Sequence, residues 1–295
     1  MHTLQMLMKP YKFKMQKQSL VNLDYSINSG QVFLWEKFQD TWYGINGTDV
    51  LSINEKSLKM NSFSHNYIDF LREEDELSEI ILSITKDKIV KKAVKLFPGL
   101  RLLRQDPFQC YISFIVSANS NIQNIKSVLQ RLCERFGKKI FFDKKQFFLF
   151  PDPEILAHAK QSELQECGLG YRTKSVLEAS LAVTSGQINF DYLKKTSYQN
   201  AKDILMEVYG IGNKVADCIL LFSLEKLDAF PIDTWVLKIL EKYYSDKFQI
   251  DGKSLTEKKY NQIHEEVVNH FGPYAGYAQQ YLFKMERELN KKRWL

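Results

Sequence analysis

The stretch "VYGIGNKVADCILLFS", residues 208–223, decides how this chain is read. Gly210 and Gly212 flank one isoleucine, and Lys214 follows two places later at the mouth of an apolar run. "AKDILMEV" before the glycines and "KVADCILLFS" after them both repeat apolar residues at helical spacing. "YGIGN" is therefore a tight turn between two helices, with glycines where positive φ or a close approach is needed. Such a turn exposes backbone N–H groups at the start of the second helix, and those groups with the helix dipole attract phosphate. A helix-hairpin-helix that grips a DNA backbone is the functional reading, and a plain helix–helix connection is the alternative.

Lys214 adds chemistry to the turn. Near a helix N-terminus the dipole disfavours an ammonium, and a neutral amine is a nucleophile able to form a Schiff base. Its alternative roles are a phosphate contact or a snorkelling lysine. Nineteen residues on, "FPIDTWV" places Asp233 after a proline and before a helix, where it reads as an N-cap. A carboxylate there could also stabilise positive charge developing on a sugar, as in glycoside cleavage. Lysine plus aspartate beside a phosphate-gripping hairpin suggests cleavage of an N-glycosidic bond in DNA.

The surroundings agree. The chain has 295 residues, 44% of them hydrophobic and 13% aromatic, enough for more than one core. No run of about 18 apolar residues marks a membrane span. The start lacks a signal core, so the expected compartment is the cytoplasm, nucleoid-associated in a prokaryote, or the nucleus in a eukaryote. Cys110, Cys133, Cys167 and Cys218 lie far apart with no CxxC pair, which argues against zinc, an iron–sulfur cluster or a disulfide framework. Net charge is +6, gathered at the ends: Lys9, Lys12, Lys14 and Lys17 stand without an acid in the first 20 residues, and "KMERELNKKRWL" closes the chain. Polyanion contact and plain solvated tails both fit that distribution. Residues 19–62 read as strands, with turns at "QD" and "NGTD", and from about residue 66 the pattern becomes helical. In "NIQNIKSVLQRLCERFGKK", Ile122, Ile125, Leu129, Leu132 and Phe136 share one helix face, and Gly137 is expected to end that helix in a left-handed conformation.

Five segments in order, "NSGQVFLW", "RLLRQDPFQCYISFIVSANSNI", "CGLGYRTKSV", "YGIGNKVADCILLFSLEKLDAFPID" and "YAGYAQQYLF", resemble the helix-hairpin-helix DNA glycosylases with the Gly/Pro…Asp signature. Within that superfamily the chain looks like the 8-oxoguanine DNA glycosylase/AP lyases, over about residues 19–285. The resemblance implies an α+β fold: an N-terminal antiparallel β-sheet domain of TATA-binding-protein-like type, residues 1–96 with flanking helices, then a mostly helical body, 97–295. That body would divide into a barrel at 106–230, holding the hairpin at about 201–223, and a second subdomain of 97–105 and 231–295, with the active site in the cleft between them.

Roles follow position by position from the same resemblance. Lys214 matches the catalytic lysine and Asp233 the catalytic aspartate. Cys218 and Phe283 match the pair that sandwiches a flipped base, and Gln279 the residue bonding its Watson–Crick edge. Gly30 matches the glycine whose carbonyl accepts the N7–H of 8-oxoguanine. Asn119 matches the side chain that fills the vacated stack, Tyr171 the wedge and Arg172 the reader of the estranged cytosine. On sequence alone, Cys218 and Phe283 would pass as core, Gly30 as a turn, Asn119 as a helix cap, and Tyr171 and Arg172 as loop residues. The chain departs from the pattern at Asn124, where a second cytosine-reading arginine is common, and at Trp235, where a histidine is common. It also lacks a C-terminal four-cysteine cluster. The implied partner is duplex DNA carrying 8-oxoguanine, preferably opposite cytosine, met by a monomer without a membrane. No redox cofactor or catalytic metal is implied, only a monovalent cation between hairpin carbonyls and phosphate. A monofunctional glycosylase for alkylated bases and a non-catalytic DNA-binding module are the rival functions.

Overall fold

The computed structural model describes residues 21–65, 69–250 and 255–290. The four N-terminal lysines and the last five residues fall outside that range. The first element of the described residues is a short helix, α1 (Leu23–Ile27), where the sequence pattern suggests strand. Asn22 caps it through Tyr25 N–H at 2.9 Å, a local hydrogen bond that outweighs the β-branched composition of the neighbourhood. Strands β1 (Trp35–Phe38), β2 (Thr41–Asn46), β3 (Asp49–Asn54) and β4 (Met60–Ser62) form an antiparallel meander in sequence order. The turns fall at Gln39–Asp40 and Gly47–Thr48, as the sequence indicated. One side of the sheet buries Trp35, Trp42, Leu51 and Ile53 together with Leu23, Phe70, Leu71 and Leu103. Trp35 stacks on Phe70 at 4.7 Å. Each such side chain contributes roughly 1.5–3 kcal/mol by leaving water.

The remainder is helical: α2 (Leu77–Ile84), α3 (Lys88–Leu96), α4 (Pro107–Val116), α5 (Ile122–Phe136), α6 (Pro153–Ala157), α7 (Gln161–Glu166), α8 (Thr173–Thr184), α9 (Phe190–Lys195), α10 (Tyr198–Met206), α11 (Asn213–Ser223), α12 (Thr234–Tyr244), α13 (Glu257–Phe271) and α14 (Ala275–Leu289). Helices α2 and α3 pack on α14, and their Ile80, Ile84, Val90 and Ala93 join the core of the helical body. A hairpin, β5 (Lys139–Phe142) and β6 (Lys145–Phe148), interrupts the helices. It leans on the sheet through Val50, Ile140 and Leu149, and through Tyr43, whose hydroxyl donates to Asp143 at 2.6 Å.

Gly137 does end α5, but in extended rather than left-handed geometry, φ −84° and ψ 153°. Its glycine answers a close approach instead: a Cβ there would sit 1.9 Å from the Leu149 carbonyl oxygen where the hairpin returns. Among the described residues no helix is long and apolar enough to cross a membrane.

Candidate active site

Helix α11 starts at the hairpin. Gly210 has φ +89°, and a Cβ on it would lie 2.2 Å from Ser175 Oγ on α8, so the turn needs glycine twice over. Gly212 is the N-cap of α11, extended, with nothing within 4 Å of where a Cβ would be. The space beside Gly212 is therefore open. Tyr209, 56% exposed, flanks it with the Lys174 ammonium 4.4 Å over its ring; neither residue stood out in the sequence.

One turn of α11 places Lys214 and Cys218 on the same face. Lys214 is half-buried; its Nζ donates to Ser117 Oγ at 3.1 Å and lies 5.4 Å from the Phe114 ring. Cys218 is buried. Burial pushes its thiol up to about 12, with Lys214 pulling it down and the Asp233 carboxylate adding to the rise. The lysine, the thiol and the aspartate are thus electrostatic neighbours. Asp233 caps α12, its Oδ1 accepting from Trp235 N–H at 2.9 Å and Val236 N–H at 2.7 Å. Its Oδ2 accepts no hydrogen bond from the described residues. The N-cap role read from the sequence is therefore real, and it leaves one carboxylate oxygen for other work.

Helix α14 carries Gln279, Phe283 and Arg287, spaced four apart on one face. Gln279 is 6% exposed; its Nε2 reaches the Pro231 carbonyl at 3.4 Å and its Oε1 is buried without a partner. Phe283 is half-buried with its ring edge 3.4 Å from where a Gly30 Cβ would be, and Ile122 at the start of α5 is 3.7 Å from that point. Gly30, at φ +92°, sits in a loop tied down on both sides. Gln280 Nε2 donates to the Ser29 carbonyl at 3.0 Å, Arg287 to the Asn28 carbonyl at 3.3 Å, and Gln105 to the Gln31 carbonyl at 2.7 Å. The fully buried Gln31 side chain bridges Arg101 O and Leu103 N–H. Among the described residues, nothing donates to the Gly30 carbonyl.

The remaining positions cluster at the end of α4. Asn119 is exposed with φ +49°. It is not the cap of α5; Asn121 is, through Asn124 N–H at 2.9 Å. The Ala118 carbonyl accepts from Tyr171 Oη at 3.1 Å and from Arg172 Nε at 2.8 Å, and Arg172 Nη2 also reaches the Asn119 carbonyl at 3.0 Å. Tyr171 is 65% exposed, whereas Arg172 is only 8% exposed, its Nε and Nη2 turned inward on these carbonyls. Asn124 is exposed and donates to Ser120 Oγ at 2.8 Å. The structure thus gathers Lys214, Cys218 and Asp233, sets Gln279 beside the Asp233 loop, and joins Phe283 to Gly30. It places Asn119, Tyr171 and Arg172 next to the lysine's partner Ser117. Sequence reading missed Ser117 and Gln31, whose roles arise from partners 97 and about 70 residues away.

This chain is 30% identical over 289 residues to the N-glycosylase/DNA lyase OGG1 of Arabidopsis thaliana, an alignment covering 92% of this chain and 79% of that one. Among solved structures it is similar to MBOgg1 in complex with a low-affinity DNA ligand (TM-score 0.83, 32% identity, 92% of this chain and 93% of that chain). It is also similar to the Clostridium acetobutylicum 8-oxoguanine glycosylase/lyase bound to double-stranded DNA with cytosine opposite 8-oxoguanine (TM-score 0.82, 30% identity, the same coverage). The family described as 8-oxoguanine DNA glycosylase, N-terminal domain, matches residues 12–111, and the HhH-GPD superfamily base excision DNA repair proteins match residues 112–266. The chain therefore belongs to the HhH-GPD superfamily of base excision DNA repair proteins.

Proposed function

We propose that this protein is a bifunctional base-excision-repair enzyme that removes 8-oxoguanine from duplex DNA and then nicks the strand. The observation that carries the proposal is Lys214 in the first turn of α11 at the hairpin, its Nζ held by Ser117 Oγ, with Asp233 capping α12 through Oδ1 and keeping Oδ2 unengaged. The α11 N-terminus and the open space before Gly212 suit a phosphate of the bound strand. The lesion is turned out of the duplex, as chemistry on a stacked base requires. The Lys214 amine donates its lone pair to C1′ while the glycosidic bond breaks and its electrons leave with the base. Asp233 Oδ2 faces the positive charge that builds on the sugar. The departing base takes up the proton the amine loses, and breaking of the C1′–O4′ bond, with O4′ taking a proton from solvent, gives a protonated Schiff base, which acidifies the 2′ hydrogen. Its removal expels the 3′ phosphate by β-elimination, and water then releases the lysine.

Two unengaged acceptors support the choice of base. In this reading Gln279 Oε1, buried without a partner, accepts from the N1–H or N2–H of a guanine-type edge, and the Gly30 carbonyl accepts the N7–H that 8-oxoguanine has and guanine lacks. A guanine N7 would instead oppose that carbonyl acceptor to acceptor. Asn213 Oδ1, buried without a partner at the hairpin, is the kind of oxygen a monovalent cation would use. Such an ion would only neutralise phosphate charge, and no chemical step depends on it.

Borohydride trapping on an 8-oxoguanine:cytosine duplex tests the proposal. Wild-type protein is expected to form a covalent adduct and a nick; Lys214→Gln is expected to lose both while keeping salt-sensitive DNA binding. Base release without an adduct would mark a monofunctional alkyl-base enzyme, and binding without chemistry a DNA-binding module.

A further inference from the structure

Asp217 lies fully buried on α11, between Lys214 and Cys218 in sequence but on the helix face turned away from solvent. Its Oδ1 accepts from Tyr198 Oη at 2.6 Å and its Oδ2 from Tyr260 Oη at 2.5 Å. The Tyr198 oxygen in turn takes Lys202 Nζ at 3.1 Å and His264 Nε2 at 2.9 Å. Lys202, 3% exposed, lies 3.5 Å from Asp217 and supplies the countercharge. The Tyr260 oxygen accepts the Ile232 N–H at 3.0 Å, one residue before Asp233. One carboxylate thus joins α10, α11 and α13 to the loop that delivers Asp233.

Each hydrogen in this chain has one place. Burial first, and then the Asp217 charge, push the Tyr260 and Tyr198 hydroxyls up, so both remain donors to the carboxylate. Burial pushes His264 down, which favours a neutral ring giving its Nε2–H to Tyr198. With its single proton committed to Asp217, the Tyr260 oxygen can only accept on its other side, and Ile232 N–H is what it accepts. A buried ion pair of this kind is seldom worth more to stability than apolar packing would be. What it does give is one fixed arrangement.

We propose that Asp217 and Tyr260 are positioning residues: through Ile232 N–H they hold the Asp233 carboxylate in register with Lys214, which stands one turn from Asp217 on the same helix. This rests on the reading of Asp233 as the group that stabilises the sugar's charge. Asp217 fixes both catalytic groups to a single buried point, although it touches no substrate itself. Removing the Tyr260 hydroxyl frees the 230–233 loop to shift while the hairpin and Lys214 stay in place.

The test compares Tyr260→Phe, Asp233→Asn and the double variant with the wild-type full chain. Two rates are read: single-turnover excision of 8-oxoguanine, and nicking of a pre-formed abasic site, which needs Lys214 but no base departure. Tyr260→Phe is expected to slow excision about 10- to 100-fold, the scale of a displacement of about 1 Å, and to leave abasic-site nicking and DNA affinity within about twofold. In the Asp233→Asn background Tyr260→Phe is expected to add little, because it acts through that carboxylate. Asp217→Asn, which cannot accept from both tyrosines, should show the same split among its folded molecules. Equal loss of both activities in Tyr260→Phe would mean a merely structural role and would overturn the proposal. Should Asp233→Asn be slow while Tyr260→Phe excises normally, or should the two losses multiply, the relay fails and the assignment of Asp233 stands. Should Asp233→Asn excise at the wild-type rate, the catalytic assignment of Asp233 fails and the relay falls with it.

Discussion

Replacing Asp233 by asparagine separates two duties that one residue carries. The cap is made by Oδ1, which accepts from Trp235 and Val236 N–H at 2.9 and 2.7 Å. Asparagine offers the same oxygen and caps helices about as well as aspartate. What is lost is the negative charge at the start of α12, worth roughly 0.3–1 kcal/mol to the helix dipole. For a chain of this size that lowers the melting temperature by only about 1–4 °C. The catalytic duty belongs to Oδ2. A carboxylate about 4 Å from a developing unit charge, at an effective dielectric constant of about 20, stabilises it by about 4 kcal/mol. At about 1.4 kcal/mol per decade this is close to 10³ in rate. Asp233 is half-buried and solvent screens part of that, so a loss of 10²- to 10³-fold is expected. The assay is single-turnover excision from an 8-oxoguanine:cytosine duplex with enzyme in excess, beside a thermal melt and a DNA-binding titration. A slow variant with near-normal melting and binding supports the charge role. Wild-type excision would show that Asp233 only caps α12. Parallel losses of rate, melting temperature and binding would show that its effect is structural.

The hairpin, the opposite-strand contact and the thiols give four further expectations. Gly210→Ala puts a Cβ 2.2 Å from Ser175 Oγ at φ +89°, so it should weaken binding to lesion and undamaged duplexes alike, measured as matched Kd increases over a salt series. Arg172→Ala should erase the preference for cytosine opposite the lesion, a discrimination of about 1–3 kcal/mol per good base contact. Because Arg172 also clamps the carbonyls of Ala118 and Asn119, it should slow excision against all four opposite bases too; unchanged rates would contradict that clamp. Asn124→Arg, at an exposed site beside Ser120, should sharpen the cytosine preference, read from the same four duplexes. Burial pushes the Cys133 and Cys218 thiols up to about 12. Above the unfolded thiol's value, near 8.5, the unfolded chain has lost protons that the folded chain retains, so stability should fall as pH rises from about 9 towards 12. Denaturant titrations across that range, repeated on Cys133→Ala, should show a smaller decline in the variant.

What the sequence determined by itself was local. The helix-hairpin-helix was legible because helical periodicity on both sides of "YGIGN" left a glycine turn as its only connection, and Asp233 was legible as a cap because caps act within three residues. The shift from sheet to helix was equally plain in the patterning. Where local reading failed, a contact from outside the window had decided. The sequence places Gly137 as a left-handed cap, but its geometry answers the Leu149 carbonyl of a hairpin that local patterning does not reveal. Asn119 had the look of a cap, and Asn121 does the capping. Cys218 read as core, and it is core; only the fold shows that Lys214 and Asp233 share its surroundings. The unengaged Gly30 carbonyl emerges only once Gln280, Arg287 and Gln105 have taken its three neighbours, with two of those donors more than 250 positions away. Asp217 carried no signal at all, because a single aspartate in an apolar run gives no sign of which tyrosines will reach it. Hydrogen-bond satisfaction in a buried site is settled by which chain segments arrive there, and that is a property of the tertiary fold.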